Sequence, residues 1–257
     1  MSAQKPPVFQ TVTTAYRDVG WAIHAMPVLA GTMMAILIAF NLVGLFFLPA
    51  YVPGKVLSLG GLILFAAGAV QSFLITPFLI AVHRFILLRQ VTGQYALAPQ
   101  EPRFLRFFGW SLVITSLSLI PTVLQVWLSA LGFPGAFTGI LTIVILAACL
   151  FLTFRLTILF PAIAIDAPGA TAANAYADSK GNVWRIFFIF FLTILPFMLL
   201  ALGLFFLGLI STAKEINLLT ITGKILAAIV GVPAYALFVA VASRLFLALC
   251  DRLNRPS

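Results

Sequence analysis

The stretch that decides the fold runs from Thr153 to Phe188. It opens Thr153-Phe-Arg155-Leu-Thr-Ile-Leu-Phe-Pro161-Ala-Ile-Ala-Ile-Asp166 and passes through a small polar connection. It then resumes Ser179-Lys180-Gly181-Asn182-Val183-Trp184-Arg185-Ile-Phe-Phe188. An arginine sits inside an apolar run, an aspartate ends that run, and a Trp–Arg pair opens the next. Long apolar runs bounded by basic residues and tryptophan are the pattern of helices that cross a bilayer.

The composition agrees. Of 257 residues, 63% are hydrophobic and 8% charged, against about 25% charged in a soluble domain. Six apolar runs fall at about 27–51, 56–88, 107–131, 139–165, 184–211 and 225–249. At about 1.5 Å of rise per residue, each can cross a hydrocarbon core of about 30 Å. The second is long for a single crossing, so its end near His83 and Arg84 is expected to protrude into the interface. The 25 phenylalanines suit lipid-facing surfaces. The first run starts far from Met1 and is too long for a signal-peptide core, so it is expected to stay as an anchor.

Ahead of the first run, Phe9, Val12, Tyr16, Val19 and Ile23 recur at helical spacing, with Gln10, Thr13, Thr14, Arg17 and Asp18 off that stripe. This predicts an amphipathic helix, either lying on the membrane surface or packed on the loops beneath the bundle. The expected architecture is all-α, with residues 1–26 as a tail and interfacial helix and 27–257 as a six-helix transmembrane domain.

The 15 Lys and Arg residues set the orientation. Twelve fall on one side: Lys5, Arg17, Arg84, Arg89, Arg103, Arg106, Arg155, Lys180, Arg185, Arg244, Arg252 and Arg255. Lys55, Lys214 and Lys224 fall on the other. Basic loops stay inside, so both termini and the connections 89–106 and 166–183 are expected in the cytoplasm of a bacterial inner membrane. The net charge of +9 is spread singly along helix ends. It therefore points to anionic headgroups rather than nucleic acid; another membrane protein is a further expected partner. Cys149 and Cys250 lack metal-site spacing, and no disulfide is expected on the cytoplasmic side.

A short pattern repeats. Odd-numbered runs are entered through Arg17-Asp-Val-Gly-Trp21, Arg106-Phe-Phe-Gly-Trp110 and Lys180-Gly-Asn-Val-Trp184. Even-numbered runs end in His83-Arg84, Phe154-Arg155 and Ser243-Arg244. Three hairpins, each entered past a Trp and left through an Arg, account for both sets.

Arg155 either reaches the headgroups or is buried. If it is buried it calls for a carboxylate, with Asp166 and Asp178 the nearest in sequence. Arg84 and Arg244 hold equivalent places. Pro77, Pro121, Pro161, Pro196 and Pro233 can kink helices for packing or for a transport site. Asn41, Gln71, Ser72, Gln125 and Tyr235 can bond between helices, and Gly68 with Ser72 offers a small-residue contact. His24 and His83 both fall on the basic side, which disfavours a haem pair spanning the membrane. The sequence offers no nucleophile elbow, phosphate loop or metal cluster, and no carboxylate pair within a run, so neither an enzymatic activity nor a cofactor is expected.

The pattern Arg155-(x)5-Pro161-(x)4-Asp166, followed by Ala175-(x)3-Ser179-Lys-Gly181-(x)2-Trp184-Arg-Ile-Phe, resembles bacterial six-helix membrane proteins. Among them is the membrane domain fused to some glycerophosphodiester phosphodiesterases. Those sequences usually carry Glu where this chain has Asp166. The match covers about 35 residues. It implies a membrane module and transfers no catalysis; the chain lacks the length for the phosphodiesterase barrel. The expected role is to assist or regulate another membrane or envelope process, with a small transporter or channel as the alternative.

Overall fold

The structure is a computed structural model and describes residues 6–49, 58–206 and 216–254. Every regular element among them is helical. In chain order they are α1 (Val8–Ala25), α2 (Pro27–Phe46), α3 (Leu59–Leu88), α4 (Pro102–Ala130) and α5 (Gly135–Leu156). Then come α6 (Leu159–Ala164), α7 (Ala172–Asp178), α8 (Val183–Phe206), α9 (Leu218–Leu249) and a 3-10 turn, Arg252–Asn254. Six stretches are long and apolar enough to cross a membrane, α5 and α6 counting together as one. Of the connections expected near 52–55, 132–138 and 212–224, the first lies outside the described residues, as does the start of the third, 212–215.

Helix starts are set by side chains that take up otherwise unbonded amides. Asn217 Oδ1 accepts from the Thr220 N–H and hydroxyl at 2.8 and 2.9 Å. Thr171 and Ser58 cap α7 and α3 in the same way.

The bundle is built around α9, which touches α1, α2, α3, α6 and α8. Its most apolar window is 44% buried, against 22% or less in the other five spans. Lipid is as apolar as leucine, so helices in a bilayer associate through close packing, which small residues permit. Ala228, Ala236, Ala240, Ala242 and Ser243 form much of the buried surface of α9. At Gly231 a Cβ would lie 3.1 Å from Leu37 Cδ1 of α2. This, rather than the expected Gly68–Ser72 contact, is where small size counts: no side chain or neighbouring helix lies within 4 Å of where a Gly68 Cβ would stand.

α5 lies further out. It packs on α4, α7 and α8 and buries only Thr138, Arg155 and Leu156. Ile140, Ile143 and Val144 are exposed, as suits a surface that meets hydrocarbon.

Two expectations are corrected here. The fourth run is not one helix. Pro161 has no N–H for the Thr157 carbonyl, α5 stops at Leu156, and the chain restarts as α6 with Pro161 in the first turn, where proline is tolerated. The second concerns Asp18, which the sequence pattern puts on the polar face of α1. Instead α1 buries Thr11, Ala15, Asp18, Val19 and Ala22 against the bundle, a face about a third of the way round from the Phe9–Tyr16 stripe. Phe9 is 77% exposed and Tyr16 half-exposed. The packing face is chosen by small size and by Asp18's partner, which hydrophobicity does not report.

Candidate functional site

The chemistry of this chain gathers at one end of the bundle. There α3 and α9 finish, α4 begins, and α1, α6, α7 and the last turn converge. Three arginines organise it, at the matched positions Arg84, Arg155 and Arg244. Each is held by a segment outside its own helix.

Arg244 meets Asp18 of α1 in a two-pronged pair, Nε to Oδ2 at 2.6 Å and Nη2 to Oδ1 at 2.7 Å. The Asp18 side chain is 1% exposed and that of Arg244 24%. Two parallel charge-assisted bonds of this geometry are the strongest pairing a guanidinium makes.

Arg84 donates through Nη1 to the Ala164 carbonyl at 2.9 Å and through Nε to Gln90 Oε1 at 2.8 Å. Its Nη1 lies 3.7 Å from Asp166. Asp166 is bound more closely by Arg103 Nη1 at 2.6 Å, while Arg103 Nη2 reaches Glu101 at 2.7 Å. Asp166 sits at the close of α6 with φ 55°. Its amide bonds the Ile163 carbonyl, and that of Ala167 bonds Ala162. This is a Schellman closure, whose left-handed position usually belongs to glycine. An aspartate held there presents its carboxylate to both arginines.

Arg155 is buried, so it does not reach outward to the headgroups, and it has no carboxylate partner among the described residues. The expected pairing with Asp166 or Asp178 is therefore replaced. Arg155 donates to the Tyr176 carbonyl and to Ser179 Oγ at 3.2 Å. Its guanidinium lies 3.3 Å from the centre of the Tyr176 ring. Ring face, carbonyl and hydroxyl all come from α7 and its end, and together they solvate the cation in place of water. Asp178 has other work. Its two oxygens accept the amides of Asp251, Arg252 and Leu253 at 3.1–3.2 Å, capping the last turn. Leu253 is fully buried there.

The residues just before two of these arginines meet each other. His83 Nδ1 lies 2.8 Å from Ser243 Oγ, and the Ser243 hydroxyl donates to the Val239 carbonyl. Serine has one proton to give, so it accepts from the His83 Nδ1–H. His83 is 1% exposed and packs edge-on to Phe107. At this end of the second run His83 itself turns inward: a neutral ring and a hydroxyl satisfy one another inside the bundle.

Two tyrosines pin the surface segments to helices that contain a proline. Tyr16 of α1 donates to the Thr193 carbonyl at 2.8 Å, three residues before Pro196. Tyr95, in the connection 89–101, donates to the Leu74 carbonyl at 2.7 Å, three residues before Pro77. Proline removes the donor for the carbonyl four residues back and opens the ladder beside it. Partial burial raises the pKa of both phenols, as expected for groups acting as donors.

Among the remaining positions singled out in the sequence, Trp184 is 74% exposed and meets Phe187 edge-on. Of the three basic–Trp pairs, the described contacts put a cation over an indole only at Arg17–Trp21, 5.1 Å from the ring centre. Gln71 is half-buried in α3. Asn41 bonds the Leu37 carbonyl of its own helix at 2.8 Å.

Beside Arg84 and Arg103 opens a cleft of about 200 Å³. Its walls are Leu29 of α2, Pro77 and Ile80 of α3, Phe104 of α4, and Thr92, Gln94 and Glu101 of the connection. Sequence reasoning missed this cleft, because its lining is drawn from four separate segments.

Fold and site together define an integral membrane protein with six membrane-crossing helices and a polar plate at one end. No protein family, curated protein or solved structure matches the chain.

Proposed function

We propose that this chain is a non-enzymatic module of a bacterial inner membrane that assists or regulates another membrane or envelope process, with the arginine plate on the cytoplasmic side. The observation that carries the reading is how the plate is used. Asp18, Asp166 and Asp178 hold segments together, and Glu101 pairs with Arg103 two residues on, rather than facing one another across a cavity as an acid–base pair would. Polar groups within the spans likewise bond their own helices, as with Thr76 to Ser72 and Thr193 to Ile189. That is how a packing residue behaves, and it supports a scaffold over a transport path. The resemblance to membrane domains fused to glycerophosphodiester phosphodiesterases supports a partner among proteins that act on envelope components. The basic-residue asymmetry supports cytoplasmic termini.

Two measurements test this. In a Cys149→Ala, Cys250→Ala background, a cysteine at position 180 should resist an impermeant thiol reagent applied to intact cells; labelling there would invert the topology. Purification after crosslinking in native membranes should recover one membrane or envelope protein in fixed ratio. Solute flux through proteoliposomes that hold the chain alone would sink the module reading in favour of a transporter.

A further inference from the structure

The cleft beside Arg84 and Arg103 has two kinds of wall. Pro77, Ile80 and Phe104 are apolar and belong to helices that enter the bilayer. Arg84, Arg103 and Glu101 are charged and lie at the helix ends. The arginine side chains are only 21% and 22% exposed, and their partners fix them in place. They are therefore preorganised rather than free to reach for solvent. Donors remain. Among the described residues, hydrogen bonds engage Nε and Nη1 of Arg84 and both Nη atoms of Arg103, leaving Arg84 Nη2 and Arg103 Nε. Glu101 uses Oε2 toward Arg103 and keeps Oε1.

We propose that this cleft holds the headgroup of an amine-bearing phospholipid. Its phosphate bonds Arg84 and Arg103, its ammonium bonds Glu101, and its first acyl segment lies along Pro77, Ile80 and Phe104. Charge decides the headgroup. Two arginines against Asp166 and Glu101 leave the site near neutral, and a carboxylate in the cleft wall repels a purely anionic lipid. A zwitterion with a phosphate and an N–H-bearing cation satisfies both signs. The volume of about 200 Å³ equals that of about seven waters at ~30 Å³ each, the scale of such a headgroup. The apolar wall selects a lipid over a soluble phosphate. This inference does not depend on the module reading.

The test uses the full chain, purified in detergent and stripped of lipid. Its melting temperature is followed while phosphatidylethanolamine, phosphatidylcholine or phosphatidylglycerol with the same acyl chains is added, and separately with soluble phosphoethanolamine. Phosphatidylethanolamine should act at about tenfold lower concentration than phosphatidylcholine, whose quaternary ammonium has no N–H to donate; that is the worth of one charge-assisted hydrogen bond. Glu101→Gln should erase this preference. Ala96→Trp adds bulk to a lining position outside the ion pairs, and should abolish the lipid effect while leaving the lipid-free melting temperature unchanged. If Ala96→Trp lowers that temperature, Glu101→Gln carries the test by itself, because it is read as a ratio between lipids. Equal effects from all three lipids, an unchanged preference in Glu101→Gln, or a full effect from soluble phosphoethanolamine would each overturn the assignment.

Discussion

Asp18 and Arg244, 226 positions apart in the chain, form a two-pronged ion pair in which the aspartate is almost wholly enclosed. The pair fastens α1 to the central helix. Removing one partner leaves the other charge stranded, so Arg244→Ala should cost about 3 kcal/mol, the lower end for a buried pair because the arginine is partly exposed. Arg244→Lys should rescue poorly, since an ammonium cannot reproduce the fork. The double variant Asp18→Leu, Arg244→Met should recover most of the loss. Thermal unfolding in detergent reads all three, and a near-normal melting temperature for Arg244→Ala would refute a structural role for the pair.

Arg155 should be equally sensitive, for a different reason. Arg155→Ala empties a buried site faced by the Tyr176 ring and carbonyl, and Arg155→Lys offers a poor match to both. Because Asp178 caps the last turn instead, a double-mutant cycle between Arg155→Ala and Asp178→Asn should show coupling under about 0.5 kcal/mol. Strong coupling would restore the ion pair.

At Asp166 the backbone and the side chain make separate demands. Asp166→Ala should be less stable than Asp166→Gly by about 1 kcal/mol, because alanine is strained in the left-handed region. Asp166→Asn keeps the backbone and loses only the exposed pairs, each worth about 0–1 kcal/mol. The order Gly and Asn above Ala, measured by unfolding, checks this; Ala as stable as Gly would refute it.

The tyrosine anchors should each be worth about 1 kcal/mol, the usual net value of a hydrogen bond. Tyr16→Phe should speed proteolysis within residues 8–23 and leave 89–101 unaffected; Tyr95→Phe should do the reverse. Faster cleavage of both segments in either variant would point to global unfolding instead.

Cys250 should react slowly. Burial and the nearby Asp178 charge push its thiol well above the ordinary range. Below about pH 8.5 the thiol is protonated whether the chain is folded or not and adds nothing to the pH dependence. As pH rises past that value the unfolded chain releases its proton first, so the folded state loses stability. Alkylation at pH 8 should be slow in folded protein and fast in denaturant. Equal rates would show the thiol to be accessible.

What the sequence by itself determined is what depends on counting and spacing. Run length against bilayer thickness set six crossings, the lone arginines marked the helix ends, and Pro161 marked a disturbance in the fourth run. Arg84, Arg155 and Arg244 were legible as matched positions because the positions lie along the chain. Their partners were not. Asp18, Ser179, Tyr176 and Gln90 are ordinary polar residues until the helices pack, and choosing among them is a question of distance across the bundle rather than along the sequence. Only the tertiary structure decided that Asp178 caps a backbone turn, that Asp166 serves Arg103 and Arg84, and that His83 turns inward. A charged or polar group in a low-dielectric bundle is held by whichever group can reach it. Reach is fixed by how small residues such as Gly231 let α9 approach its neighbours, which no one-dimensional pattern contains.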